Sequence, residues 1–258
     1  MGRGLSRVVR SLAPRRAVPR VAGYPTSSNR ASSLHLRWRL PPGTGAVAAA
    51  AVDLVVEAAP TVADLYFWAL QASFADGAGR RHGSAHLGLQ WYPAHPGSRA
   101  ANWGGYGPDG RVLGGSPSAL PSATGNPNTR DLWWEPGRPY TLTIERAAEG
   151  GWAGTIDGLR VRTLDAGGDR LDALMVWSEV FARCDAPPVA VRWSGFRVTT
   201  MAGSVVAPVA VDVNYQRRAD GGCDNSTAVA DGDAVRQVTA TERVVPQDAR
   251  LPLGTPRA

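Results

Sequence analysis

Residues 84–92 read SAHLGLQWY, and their alternation decides the fold. In an extended chain successive side chains point to opposite faces. Leu87, Leu89 and Trp91 then share an apolar face, while His86, Gly88, Gln90 and Tyr92 share the other. The same period recurs in PYTLTIERA (139–147), where Tyr140, Leu142 and Ile144 oppose Thr141, Thr143 and Glu145. In LMVWSEVF (174–181), Leu174, Val176 and Val180 oppose Met175, Trp177, Glu179 and Phe181. One face of the sheet is plain core, and the opposite face mixes Gln, Trp, Tyr and Glu.

Similar runs follow one another along the chain: LHLRWRL (34–40), AVDLVVEAA (51–59), LYFWALQASF (65–74), AANWGGY (100–106), GWAGTID (151–157), RVRTLDA (160–166), VAVRWSGFRVT (189–199) and VVAPVAVDVNY (205–215). Gly, Pro, Asn and Asp punctuate them, the pattern of a β-sandwich or barrel. The least certain strand lies in 169–182, whose Leu, Ala, Met and Glu also suit a helix. Residues 107–130 are a long Gly/Pro/Ser/Asn loop, a kind that is often functional. The expectation is an all-β, antiparallel sandwich of jelly-roll type over 34–215. A disordered basic leader (1–33) precedes it and a small C-terminal extension (216–258) follows.

The chain has 258 residues, 43% of them hydrophobic and 19% charged, enough for a substantial core. No window approaches the roughly 20 apolar residues of a membrane-spanning helix. The net charge of +6 comes from the start of the chain. Nine of the 28 arginines fall in the first 39 residues, leaving 19 against 22 acids beyond them. A nucleic-acid reader carries its basic patch on the fold, with aromatics among the arginines, and that pattern is absent here. There is no lysine, which excludes Schiff-base chemistry. The leader lacks the uninterrupted apolar stretch of a secretory signal. Cys184 and Cys223 sit in loop-like sequence and are expected to pair. Such a disulfide points to an oxidising compartment.

In TRDLWWEPGRPY (129–140) two tryptophans stand side by side. Extended geometry sends them to opposite faces. Trp134 shares its side with Leu132 and is the expected core anchor. Trp133 shares its side with Asp131 and Glu135 and is the expected displayed ring. A ring flanked by carboxylates suits a sugar, whose apolar face stacks while the acids accept its hydroxyl hydrogens. The alternative is that both rings pack at a sheet corner.

Other chemistry is weakly supported. His82 and His86 are four apart, which a strand does not bring together, and His35 and His95 have no acids nearby in sequence. No zinc site is expected, and no cofactor. The Asp/Gly stretches GGDRLD and DGGCDN lack EF-hand spacing. There is no nucleophile elbow. Paired carboxylates remain for glycoside hydrolysis, with Glu179, Glu135 and Asp131 as candidates.

The stretches YFWALQASFADG, AHLGLQWY, NWGGYG, NTRDLWWEPGRPYTLTI, GWAGTI and VWSEVF resemble the bacterial proteins of unknown function grouped as DUF3472, over roughly residues 50–200. The resemblance implies a concanavalin A-like jelly roll and an extracellular or cell-surface, carbohydrate-related setting. It implies no catalytic residues. A cytoplasmic location is the alternative, given the missing signal. The expected function is non-catalytic binding of a polysaccharide or glycan by a monomer, through Trp133, Trp103, Tyr106, Gln90, Tyr92 and Trp177. A glycoside hydrolase or lyase, or a protein-interaction module, are the alternatives.

Overall fold

The computed structural model describes residues 22–254. The part of the expected leader at 1–21 and the last four residues lie outside them. Alternating burial shapes several of the elements, while the central ones are covered on both faces. The first strand, β1 (Ser32–Arg39), buries Leu34, Leu36 and Trp38 and turns His35, Arg37 and Arg39 outwards. It is followed by β2 (Val47–Ala58), β3 (Tyr66–Ala75), β4 (Arg81–Trp91), β5 (Arg99–Tyr106), β6 (Thr129–Asp131), β7 (Pro139–Arg146), β8 (Trp152–Ile156) and β9 (Leu159–Leu164). Then come β10 (Arg170–Val180), β11 (Ala190–Thr200), β12 (Val205–Val206), β13 (Ala210–Tyr215), β14 (Ser226–Asp231), β15 (Ala234–Thr239) and β16 (Arg250–Pro252). Every pairing is antiparallel.

The strands form two layers. The front sheet runs β16-β13-β1-β10-β3-β4-β5-β6, and the back sheet runs β14-β15-β11-β2-β7-β8-β9 with β12 also on β11. A single pair, Leu171 with Val47, joins them at one corner. This is an antiparallel β-sandwich of jelly-roll type. Between the layers lie Leu36, Trp68, Leu70, Phe74, Leu87 and Trp103 from the front, and Val52, Leu54, Leu142, Ile144, Trp152 and Trp193 from the back. The Trp103 indole rests on Gly154, where a Cβ would come within 2.7 Å of the ring. Phe74 stacks on Trp152 at 5.0 Å between centroids.

Several expected boundaries move. Segment 170–180 is a central strand, because it pairs with both β1 and β3 and its alternate residues enter the core. That tertiary context overrides its helix-forming composition. The described part of the leader is tied to the fold. Ala31 is fully buried, Thr26 N–H donates to Gly221, and Cys184 N–H donates to Gly23. Arg37 and Arg39 lie in β1, as expected of the run 34–40, and β1 begins at Ser32, inside the expected leader. At the other end the sandwich does not stop at 215. Hairpin β14–β15 extends the back sheet and β16 extends the front one. Gln237 on β15 is buried between the layers. It accepts from Trp193 Nε1 at 2.9 Å and Ser178 Oγ at 2.5 Å, and donates to the Leu34 carbonyl at 2.9 Å.

The long loop after β5 straps the edge of the sandwich. It bridges to Tyr106 through Val112 and to Leu164 through Gly115. The buried Arg162 guanidinium holds its far end, donating to Pro127 O at 3.0 Å and Asn128 Oδ1 at 2.9 Å.

Cys184 and Cys223 form a disulfide across a sequence separation of 39. Closing a loop of that size stabilises by about 3–4 kcal/mol on the chain-entropy model. The Cys184→Ser, Cys223→Ser double variant is therefore expected to unfold at lower urea with a free-energy loss of that order. Equilibrium denaturation checks it, and an unchanged midpoint would refute it.

Candidate functional site

The outer face of the front sheet carries the mixed residue set, and the register arranges it in rows. Ser33, Glu179, Phe67, Gln90, Ala100 and Asp131 lie in one row across β1, β10, β3, β4, β5 and β6. The next row is His35, Trp177, Ala69, Gly88, Asn102 and Thr129. The third is Arg37, Met175, Gln71, His86 and Gly104.

At the β6 corner stands Trp133. Its neighbour Trp134 is fully buried, donates its indole N–H to the Gln90 carbonyl at 2.9 Å, and meets Trp68 edge-on at 5.8 Å. The Trp134 N–H also bonds back to Leu132 O, closing a tight turn centred on Trp133. Trp133 is consequently 63% exposed. The Arg99 guanidinium lies 4.7 Å from its centroid and 5.3 Å from that of Trp134. A Cβ on Gly97 would collide with Trp133 Cζ3 while standing 2.8 Å from Cε3 and 2.9 Å from Cη2. Those nearly equal distances describe an edge-on approach. The ring is thus braced at one edge and one face, and its other face is free. Asp131 does not flank it as expected: its carboxylate is taken by His95 Nε2 and by the Ala123 N–H. Glu135 remains exposed nearby in sequence.

Between this ledge and the opposite side lies an aromatic floor. Trp177 packs against Phe67 at 4.9 Å, His86 at 5.7 Å and His35 at 6.4 Å. Burial holds His86 neutral, with its pKa lowered to about 4. His35 is lowered to about 4 by burial and then by the Arg37 charge. Trp177 Nε1 donates to Gln71 Oε1 at 2.9 Å.

Beyond the floor the face opens into a cleft of about 1020 Å³. Its walls include Arg37, Arg39, Arg81 and Arg170, and its floor includes Gln71, Ser73 and Ser84. A β-bulge between Asp172 and Met175, with Ala173 at φ 48°, forms one side. The alternation of Arg37 and Arg39 with Leu36 and Trp38 was the sequence signal for this cluster.

The expected ligand-binding residues divide. Trp133, Tyr106 (52% exposed) and the half-buried Tyr92 are displayed along the β4–β6 side. Trp103 is not displayed, because its parity on β5 points it into the core. Gln90 and Trp177 lie on the outer face but are only 7% and 6% exposed, covered by close-packed neighbours. Gln90 Oε1, Asn102 Oδ1 and His95 Nδ1 are buried without a protein partner, so this corner holds spare polar capacity.

The candidate carboxylates do not meet. Glu179 and Asp131 share a row but are four strands apart, about 19 Å at the usual spacing. They would have to lean in by half that distance to reach the span of a glycosidase pair. Glu135 lies past Trp134, where its N–H donates to the Tyr140 hydroxyl on the way to the back sheet. Burial raises the pKa of Glu179, against hydrogen bonds from Asn29 and Ser33.

Two outcomes follow from this geometry. Trp134→Ala is expected to cost about 3–5 kcal/mol, as for other buried tryptophans. Trp133→Ala is expected to change stability by less than about 1 kcal/mol, as a surface change, and urea midpoints compare the two. His35 and His86 have folded pKa values below the unfolded 6.5, so the unfolded chain binds more protons between pH 6.5 and about 4. Their contribution is present above pH 6.5 and is lost as pH falls through that window. Glu179, raised in the fold, has the opposite slope. Replacing both histidines by glutamine should flatten the acid-side decline measured between pH 7 and pH 4.5.

No protein-family model matches this sequence, and no curated protein matches it. Among solved structures the chain is similar in outline to scytalido-glutamic peptidase with a peptide-based transition-state analogue (TM-score 0.48, 10% identity, 80% of this chain and 97% of that one). SCP-B of the eqolisin peptidase family, in complex with the tripeptide Ala-Ile-His, scores 0.45 at 10% identity over 80% and 97% of the two chains. The κ-carrageenase from Pseudoalteromonas carrageenovora, with an oligotetrasaccharide, scores 0.34 at 10% identity over 85% and 84%.

Proposed function

We propose that this protein binds a polysaccharide along the outer face of the front sheet without cleaving it. The observation that carries the reading is Trp133, an indole braced by Arg99 and Gly97 yet left with one free face at the surface. A large ring held rigid and solvent-facing is a stacking platform whose ordering cost has already been met. Tyr106 and Tyr92 line the same side of the face. From Asp131, beside this ledge, to Gln71 at the cleft is three strands across and four residues along, about 20 Å. A ligand that uses both is a polymer rather than a single sugar.

The separated carboxylates favour binding over the alternative of glycoside hydrolysis. The disulfide fits an oxidising compartment, in keeping with the extracellular or cell-surface setting implied by the DUF3472 resemblance. Among the described residues no helix is long and apolar enough to cross a membrane.

Affinity electrophoresis in gels cast with single polysaccharides tests the reading. One or more should retard the protein, and Trp133→Ala should weaken that retardation about thirtyfold, the size of an aromatic hot spot near 2 kcal/mol. Retardation by no polysaccharide would sink it and direct the search to a protein partner. New reducing ends in the gel would make the protein an enzyme.

A further inference from the structure

The cleft at the far end of the face is lined by four arginines, Arg37, Arg39, Arg81 and Arg170, against one carboxylate, Asp172. The described residues carry 21 arginines against 22 acids, so no general excess of positive charge accounts for this. Arg37 and Arg170 both line the cleft, and neither has an ion-pair or hydrogen-bond partner among the described residues. Arg81 meets Asp172 only at 3.8 Å with both side chains exposed, a pairing worth little. Arg39 is the exception, since it shares Asp212 with Arg250.

The floor continues the pattern. Because Trp177 Nε1 occupies Gln71 Oε1, the amide orientation is fixed and the Gln71 NH₂ group is left as the free donor. Ser73 and Ser84 sit opposite each other on β3 and β4, and neither hydroxyl bonds another group among the described residues. Arg170 and Arg81 both register with Ala75, from the two flanking strands, so their backbones are about 10 Å apart. The guanidinium groups therefore stand on either side of β3, over a polar floor. Arginine forks match planar or tetrahedral oxyanions.

We propose that the polysaccharide is acidic, with its carboxylate or sulfate groups held in this cleft by Arg37, Arg81 and Arg170. The inference rests on the binding reading above and adds the charge class of the ligand. Trp133 supplies the stacking contact at one end of the chain and the arginines the ionic contacts at the other. Neutral glycans offer the unpaired guanidinium groups hydroxyl acceptors but no countercharge.

The test measures binding of the full chain to polygalacturonate, alginate and chondroitin sulfate beside neutral mannan and β-1,3-glucan. Single-stranded DNA of matched charge is included. The expected result is binding of at least one acidic glycan, in preference to both neutral ones and to DNA, weakening steeply with added salt. Arg37→Gln and the Arg37→Gln, Arg170→Gln double variant should lose about tenfold per arginine, the usual worth of a charged hydrogen bond. The salt dependence is read on the unmodified protein, so it stands even where a variant folds poorly. Binding of a neutral glycan that is indifferent to salt and to both variants would overturn the acidic assignment and leave polysaccharide binding intact. Preference for DNA would overturn it in favour of a nucleic acid. Binding to none of the probes would overturn both readings together.

Discussion

The buried indole of Trp134 is the fixed point of the functional corner. Its N–H donates to the Gln90 carbonyl and its edge meets Trp68, so the chain leaving β6 cannot rotate without exposing a tryptophan and breaking that hydrogen bond. Trp133 is turned outwards by that constraint, and its own contacts with Arg99 and Gly97 then brace it. Arg99 converts the constraint into rigidity, with its guanidinium near both rings. Gly97 has to be glycine twice over, since its φ of +71° is left-handed and a side chain would strike Trp133. Display of one ring depends on burial of the other.

The rest of the outer face follows from how the register distributes side chains. The aromatic floor is a second, thin hydrophobic cluster on the wrong side of the sheet for core packing, and its two histidines are kept neutral by that packing. It orients Gln71 through Trp177 and so passes order from the middle of the face to the cleft. On the proposed reading, aromatic stacking at one end and ionic contacts at the other are separate demands on a ligand, and a chain that met only one would hold less tightly.

Much of this was legible in the sequence. Period-two alternation placed Leu87, Leu89, Leu142, Ile144 and Val176 in the core, and the two-sided rule separated Trp133 from Trp134. The same rule could not assign Trp103, because which parity faces the core is settled by the partner strands and by the room that Gly154 leaves. It could not foresee that Trp177 and Gln90 would be almost covered on an outward face. Composition was the weaker guide: the run 34–40 reads as a strand, but nothing in it shows that Arg37 and Arg39 would meet Arg81 and Arg170 at one cleft. The polar stretch after 215 gave no hint that Gln237 would be shared between both sheets, since a buried amide is marked by its partners and not by its neighbours in sequence.

The place of β1 has a consequence for synthesis of the chain. It is the first strand among the described residues, yet it lies inside the front sheet between β10 and β13, with Ser32 opposite Val180 and Leu34 opposite Tyr215. While the ribosome works through the intervening residues, the Leu34, Leu36 and Trp38 face has none of its sheet neighbours. Contacts of such sequence separation close slowly, and an unpaired apolar strand is open to foreign edges meanwhile. The outward arginines of that strand, which line the finished cleft, also charge the waiting edge.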